Sequence, residues 1–390
     1  MIPARFVNAG EARRRFGDRV DRLAPLLLEV DPLADAVVET FATMPPGEGF
    51  RSFTEAAARG IDAVPHAPPS YRAFFERVER VPVWADFARM DRGGRLFLRY
   101  GILSGLVLGA RSIILGYVSP AGNKPLVFSG RLEEQAPRRL SETSRFVQAV
   151  VLPGGMRPLA EGYQIALKVR VMHAQVRRMI DRSGRWDDQA WGRPINQHDM
   201  AGTVLLFSVA LLQGLRTFGA RFSRDDAEAY MHLWRWIGRL MGVSDEVLPT
   251  SEADALALGE IIAATQAPPD DDARALTHAL LRTPILEART EVQRAFAEPR
   301  AKVAAALARE LLGADLASQL GLEESKYRHI LPIVRSLTRT RDTLYRFLPA
   351  RADQAVAQGL RYWEEIVRQG LGPEGTDFHP PEKLRQSPSS

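Results

Sequence analysis

The stretch Leu159-Ala-Glu-Gly-Tyr-Gln-Ile-Ala-Leu-Lys-Val-Arg-Val-Met-His-Ala-Gln-Val-Arg-Arg-Met-Ile180 decides the fold class. Read in steps of three and four, Gly162, Ile165, Ala166, Val169, Met172, His173, Val176 and Ile180 form one apolar stripe, with Lys168, Gln175 and Arg178 opposite. That is a long amphipathic helix with one face in a core, ended by Ser183-Gly184. The same period persists outward. Leu140–Val151 reads as helix, with Pro137 in the first turn and Pro153-Gly154-Gly155 as the stop. Gln197–Phe218 follows Gly192-Arg193-Pro194, and Ser223-Arg224-Asp225-Asp226 caps a helix over Ala227–Met241. Further helices are predicted near 273–281, 284–312, 323–340 and 351–369. Upstream, helices are predicted from Asp31-Pro32 towards Thr43, from Thr54, over Tyr71–Glu79, and as an apolar pair over Leu96–Leu115. Ser119–Ser129, with two prolines and Gly122, reads as a loop or short hairpin. Period-two alternation, GxGxxG and Walker-type loops are missing. The expectation is an all-α protein: an Arg-rich N-terminal arm at 1–30, one large helical domain at 31–369 and a disordered tail at 370–390.

Composition agrees with a packed core. Of 390 residues, 45% are hydrophobic and 25% charged, which excludes collagenous, wholly disordered and multi-spanning membrane classes. Cysteine is absent, so there is no disulfide framework, thiolate metal site, iron–sulfur cluster or cysteine nucleophile. The formal charge of +5 is mild and spread along the chain, with no helix-turn-helix or concentrated basic face, so no nucleic-acid partner is expected. Gly101–Val118 and Thr203–Leu215 are the most apolar stretches. Arg111 and Gln213 interrupt them, both fall short of about 20 residues, and they read as buried core helices with no transmembrane segment. Arg13, Arg14 and Arg15 precede an apolar run that Pro25 breaks, so no signal peptide is read and a cytoplasmic location is expected.

The histidines locate the candidate chemistry. His66 and His379 lie in proline-rich loops, His278 and His329 among charged residues, and His198 at a helix start. No pair has HxxxH or HExxH spacing. His173 alone is centred on a long apolar stripe. It is either a core histidine bonded to a backbone carbonyl or the axial ligand of a haem iron, for which one buried imidazole suffices. Arg170 and Arg177 flank it, either solvated or reaching the acid groups of a haem. On the preceding helix Arg139 and Thr143 stand one turn apart, at the edge of the face formed by Leu140, Val147 and Val150. Arg139 either pairs with Glu133 or Glu134 while Thr143 bonds its own backbone, or the two form a polar patch in an apolar pocket that orients oxygen or a substrate group.

Four runs then carry a resemblance: Ala136-Pro-Arg-Arg-Leu-Ser-Glu-Thr143, Met172-His-Ala-Gln-Val-Arg177, Pro194-Ile-Asn-Gln-His-Asp-Met-Ala-Gly-Thr203 and Tyr230-Met-His-Leu-Trp-Arg-Trp-Ile-Gly-Arg-Leu-Met-Gly-Val243. In this order, over roughly Gly101–Pro249, they resemble the latex clearing proteins and the wider MpaB-like haem-containing oxygenases. The set Arg-x-x-x-Thr with a His 34 residues after the Arg is its most specific part. The resemblance implies a globin-like core with flanking helices, haem b as cofactor, and His173 as proximal iron ligand. It places Arg139 and Thr143 on the distal, catalytic side. It also implies O2 and an apolar, polyisoprenoid-type substrate; rubber-cleaving members split a carbon–carbon double bond into ketone and aldehyde ends. Three departures are visible: Glu142 stands where several of those enzymes carry a lysine, Asn123 where they carry an active-site glutamate, and their export signal is not seen. Glu142 has Arg138 and Arg139 four and three residues before it, which predicts an ionised carboxylate and no strong sixth protein ligand for the iron. His232, beside Trp234 and Trp236, is the second candidate ligand. The function expected is haem-dependent oxygenation of an apolar unsaturated substrate. A haem-binding sensor or carrier, and a cofactor-free helical interaction protein, are the readings from other classes.

Overall fold

The computed structural model describes residues 2–128, 136–288 and 290–371, and every regular element in them is helical. The first third holds α1 (Ala9–Phe16), α2 (Arg19–Leu23), α3 (Pro32–Phe41), α4 (Glu48–Arg59), α5 (Pro69–Glu79) and α6 (Phe87–Val107), which continues through a π-turn at Leu108–Ser112 into α7 (Ile113–Tyr117). The middle holds α8 (Lys124–Phe128), α9 (Ala136–Val151), α10 (Glu161–Arg182), α11 (Asp188–Trp191), α12 (Gln197–Phe207), α13 (Val209–Thr217) and α14 (Arg224–Leu240). The last third holds α15 (Glu252–Ala264), α16 (Asp271–Leu281), α17 (Thr283–Leu286), α18 (Glu291–Leu312), α19 (Ala314–Gln319), α20 (Ile330–Phe347) and α21 (Pro349–Leu371).

Local chemistry sets the ends of these helices. Asp31 caps α3 by accepting from the Ala34 N–H, with Pro32 in the first turn, and Ser223 and Asp226 close a capping box on α14. α6 is the central post, packed against α14, α21 and α13. A Cβ on its Gly94 would run into the Val151 carbonyl, and one on Gly359 of α21 into the Leu98 carbonyl. Only glycine permits those two approaches. One continuous apolar cluster joins α3 to α16 and runs on into α18, α20 and α21.

The structure departs from the sequence reading in several places. Residues 2–30 are a packed element with α1 and α2 in it: Ala12, Val20 and Leu23 form a second small core with Ile261 of α15. Arg5 bridges to Asp199 at 2.7 and 2.8 Å. The loop at 119–129 contains the short helix α8. Gln197–Phe218 breaks at Ser208, where the backbone turns to φ −101°, ψ −93°. The expected disordered tail, apart from the end of α21, lies outside the described residues. Phe87–Tyr117 and Gln197–Thr217 are, by length and apolarity, long enough to cross a membrane, but 50% and 61% of their most apolar windows is buried in the protein, as befits core helices.

Candidate functional site

Between α9 and α10 the turn at 152–160 reverses the chain, and the missing side chain of Gly162 lets α10 close on the Ala149 carbonyl. Counting from that contact by helical rise alone, His173 lies about 16 Å along α10 and Arg139 about 15 Å back along α9; the charges that reach His173 are those of Arg177 and Asp31.

His173 is half-buried, and its Nδ1 is sealed from solvent without a hydrogen-bond partner. The expected bond to a backbone carbonyl is not made. Burial first, and then the Arg177 charge, push the imidazole down to about 4, with Asp31 opposing. The ring is therefore neutral at pH 7, the form in which imidazole binds metals. Leu140 of α9 and Met172 of α10 stay partly open, as do Ile113 of α7, Val118 just past it and Phe207 of α12; all five pack on the main cluster without full burial.

The two arginines beside His173 turn out neither solvated nor free for a cofactor's acid groups. Arg170 is buried and grips Asp31 through Nε at 2.6 Å and Nη2 at 2.8 Å, lying 4.5 Å over the Phe74 ring. Arg177 donates to the carbonyls of Pro194 (3.1 Å) and Ile195 (3.0 Å) and pairs with Asp35. Both bolt α10 onto α3, and Arg177 also holds the turn into α12, where Ile195 sits at φ 53°. A buried guanidinium needs a full set of acceptors; Asp31 and Asp35 provide the charged ones and the Leu240, Pro194 and Ile195 carbonyls the rest.

On α9 the opposite holds. Arg139 and Thr143 are half-buried, and neither side chain makes a hydrogen bond or ion pair among the described residues. Ser141, between them, does bond back to the Pro137 carbonyl at 3.0 Å, so the missing Thr143 bond is specific to that position. The expected pairing of Arg139 with Glu133 or Glu134 falls outside the described residues. Glu142 accepts from Arg138 Nε at 3.1 Å, as its spacing predicts.

Two further residues join this end of the site. Tyr117, at the end of α7, is buried; burial raises its phenol, and the Arg139 charge works against that rise. Asn123 is fully buried, donates through Nδ2 to the Tyr117 carbonyl at 3.0 Å, and leaves Oδ1 without a partner. Tyr117 was hidden in the sequence inside an apolar run and carried no signal of its own.

The other histidines are accounted for differently. His232 Nε2 accepts the Asp86 N–H at 3.0 Å, which occupies one of its two metal-binding nitrogens. His198 faces Asp199 through Nδ1 at 3.5 Å and packs edge-on against Phe6, and its Nε2, like Nδ1 of His173, is buried without a hydrogen-bond partner. Among the described residues no three His, Asp or Glu side chains gather to hold a bare metal ion. One neutral imidazole with an unsatisfied nitrogen suits a metal that arrives already held by its own macrocycle.

The fold, together with its family match, defines a helical protein of an oxygenase family. Its architecture is shared with latex clearing protein in the closed state: TM-score 0.69 at 22% identity, covering 86% of this chain and 91% of that one. The family model for the catalytic domain of the ER-bound oxygenase mpaB/B′ and rubber oxygenase matches residues 98–343, and the chain belongs to that family. The rubber oxygenase of Streptomyces sp. (strain K30) is 28% identical over 298 residues, covering 76% of this chain and 68% of that protein. The matched region runs well past Pro249, so α15 to α19 and most of α20 belong to the same catalytic unit.

Proposed function

We propose that this chain is a haem b-dependent oxygenase that uses O2 to cleave or oxidise an apolar, unsaturated, isoprenoid-like substrate. One observation carries the reading: a neutral imidazole whose sealed Nδ1 has no partner, on the helix that follows the one bearing the unpaired Arg139 guanidinium. Haem, when bound, supplies an iron centre that activates O2. His173 holds it, on a helix that Arg170 and Arg177 keep fixed to α3. Arg139 brings a positive charge and N–H donors, and Thr143 a hydroxyl, to the place where negative charge develops on oxygen. The partly open apolar side chains Ile113, Val118, Leu140, Met172 and Phe207 exclude water and meet a hydrocarbon. Glu142 is tied to Arg138, and position 123 is an amide, so neither would bring an amine to the haem.

The test is a spectrum followed by turnover. Protein expressed with ample haem should be pigmented, should shift its Soret band with added imidazole or cyanide, and should form carbonyl products from an isoprenoid alkene under O2. His173→Ala should lose most of the pigment and remain helical by circular dichroism. Pigmented protein that forms no product would favour a sensor or carrier, and colourless wild-type protein would sink the haem assignment. Full pigment in His173→Ala with an unchanged spectrum would transfer the ligand role elsewhere.

A further inference from the structure

α20 is amphipathic the wrong way round. In a surface helix of a globular protein the apolar stripe faces the core. Here Thr338 and Asp342 are buried, with Leu331 as their one apolar companion, while Ile333, Leu337, Leu344, Phe347 and the following Leu348 are exposed, Leu337 by 66% and Phe347 by 78%. Steps of four, seven and three residues put Ile333, Leu337, Leu344 and Phe347 within about 80° of one another around the helix, so they form one outward stripe.

Apart from Leu331 and Val334, which join the apolar cluster, the contacts that hold α20 to the body are polar. Asp342 accepts from the Tyr100 hydroxyl and from the Arg221 N–H, both at 2.7 Å. Arg335 Nε donates to the Thr217 carbonyl at 3.0 Å, and Arg341 lies 5.1 Å over the Tyr100 ring. These inward bonds use the helix's one acidic side chain and two of its arginines. Outside remain Arg339, Arg346 and, just beyond, Arg351, all exposed and without a carboxylate partner among the described residues. From Lys326 to Arg351 the chain has seven Lys and Arg against one acid, the buried Asp342. The outer surface of α20 thus offers apolar side chains together with positive charge alone.

We infer that α20 docks on an anionic lipid bilayer, with Ile333, Leu337, Leu344 and Phe347 in the acyl boundary and Arg339, Arg346 and Arg351 among the headgroups. Charge complementarity selects this occupant. A bilayer of that kind supplies an apolar phase and a negative surface side by side. A second copy, joined by a two-fold axis, would set the same arginines against one another. Residues 372–390 contain Phe378 and Leu384 as their only large apolar side chains, too few to cover five positions. The inference rests on α20 alone and stands apart from the chemistry proposed above.

The experiment is vesicle flotation of the full chain, with phosphatidylcholine alone and with about 30 mol% phosphatidylglycerol added. Wild-type protein should float with the anionic vesicles and release as salt rises to about 0.5 M. Leu337→Glu/Leu344→Glu should weaken binding by roughly tenfold or more, since two apolar anchors are lost. Arg339→Glu/Arg346→Glu should remove the preference for anionic lipid. Both variants should keep the wild-type melting temperature, because none of the four side chains is tied to the body. Absence of binding to anionic vesicles, or equal binding by wild type and both variants, would overturn the proposal. So would sedimentation velocity showing a dimer in solution that Leu337→Glu/Leu344→Glu dissociates.

Discussion

His232 on α14 and His173 on α10 begin from the same physics and end in opposite roles. Burial, ahead of nearby arginine charges, pushes both imidazoles from 6.5 down to about 4. Each sits on a helix of the main core. They differ in how their nitrogens are satisfied: His232 accepts the Asp86 N–H where α6 begins and meets Trp84 edge-on, whereas His173 keeps a sealed nitrogen with no partner. A buried polar atom left unpaired costs about 1–3 kcal/mol, which a fold tolerates where function gains from it. A depressed histidine therefore reports burial; a missing partner narrows the candidates, and His198, whose Nε2 also lacks one, is set apart by Asp199 at its Nδ1. The arginines repeat the lesson, with Arg170 and Arg177 fully engaged and Arg139 unpaired.

That contrast is tested most severely at Arg170. Arg170→Met would leave Asp31 buried against α10 without its cation, and removing one partner of such a pair costs about 3–5 kcal/mol. Chemical denaturation of the variant should show a loss of that size. A loss under about 1 kcal/mol, accompanied by weaker haem retention, would return Arg170 to the cofactor and break the distinction between engaged and unpaired arginines.

A smaller effect is expected at His232, with a pH signature. Its folded pKa is depressed, so it favours the neutral form. The stability it contributes is present above about pH 6.5 and is lost as pH falls from there towards 4, where the unfolded chain binds the extra proton. His232→Leu should cost about 1–3 kcal/mol at pH 7, because the Asp86 N–H loses its acceptor. His232→Gln can still accept that bond but cannot titrate, so its stability should fall less than the wild type's between pH 7 and 5. Matching pH profiles for His232→Gln and wild type would show that the Asp86 bond does not depend on the proton.

The existence and extent of α10 were legible because helix period is a local property, but its stripe was read only in part: past Val171 the buried positions are Ala174, Arg177 and Ile180, while Met172, His173 and Val176 stay partly open. The spacing of Arg139 and Thr143 was legible for the same reason. What Arg170 and Arg177 do was not, since their partners Asp31 and Asp35 lie 139 and 142 residues away. α8 was hidden because Pro125 falls in its first turn, a place where proline is tolerated but where sequence alone suggests a loop. The break at Ser208 has no proline or glycine to announce it; the Ser208 hydroxyl caps the Val204 carbonyl at 2.7 Å inside the core. The direction of α20's stripe was equally out of reach, because a period fixes which residues share a face and leaves open which way that face points.

The smallest effect on the fold is expected at the unpaired end of the comparison. Arg139 and Thr143 have no partner to strand among the described residues, so Arg139→Met, which keeps the apolar stem, and Thr143→Val, which is nearly isosteric, should each change stability by no more than about 0.5 kcal/mol. Haem content should also stay at the wild-type level, because His173 and its supports on α3 are untouched. Turnover is where both should fail. A donor aimed at developing charge on oxygen contributes roughly 10²–10³-fold in rate, and its loss lowers kcat with pigment and melting temperature unchanged. That combination separates a reacting-site role from a structural one, which would move stability first. If either variant instead lost stability on the scale expected for His232→Leu, its side chain would have a partner after all, and the pocket's polar end would belong to the fold.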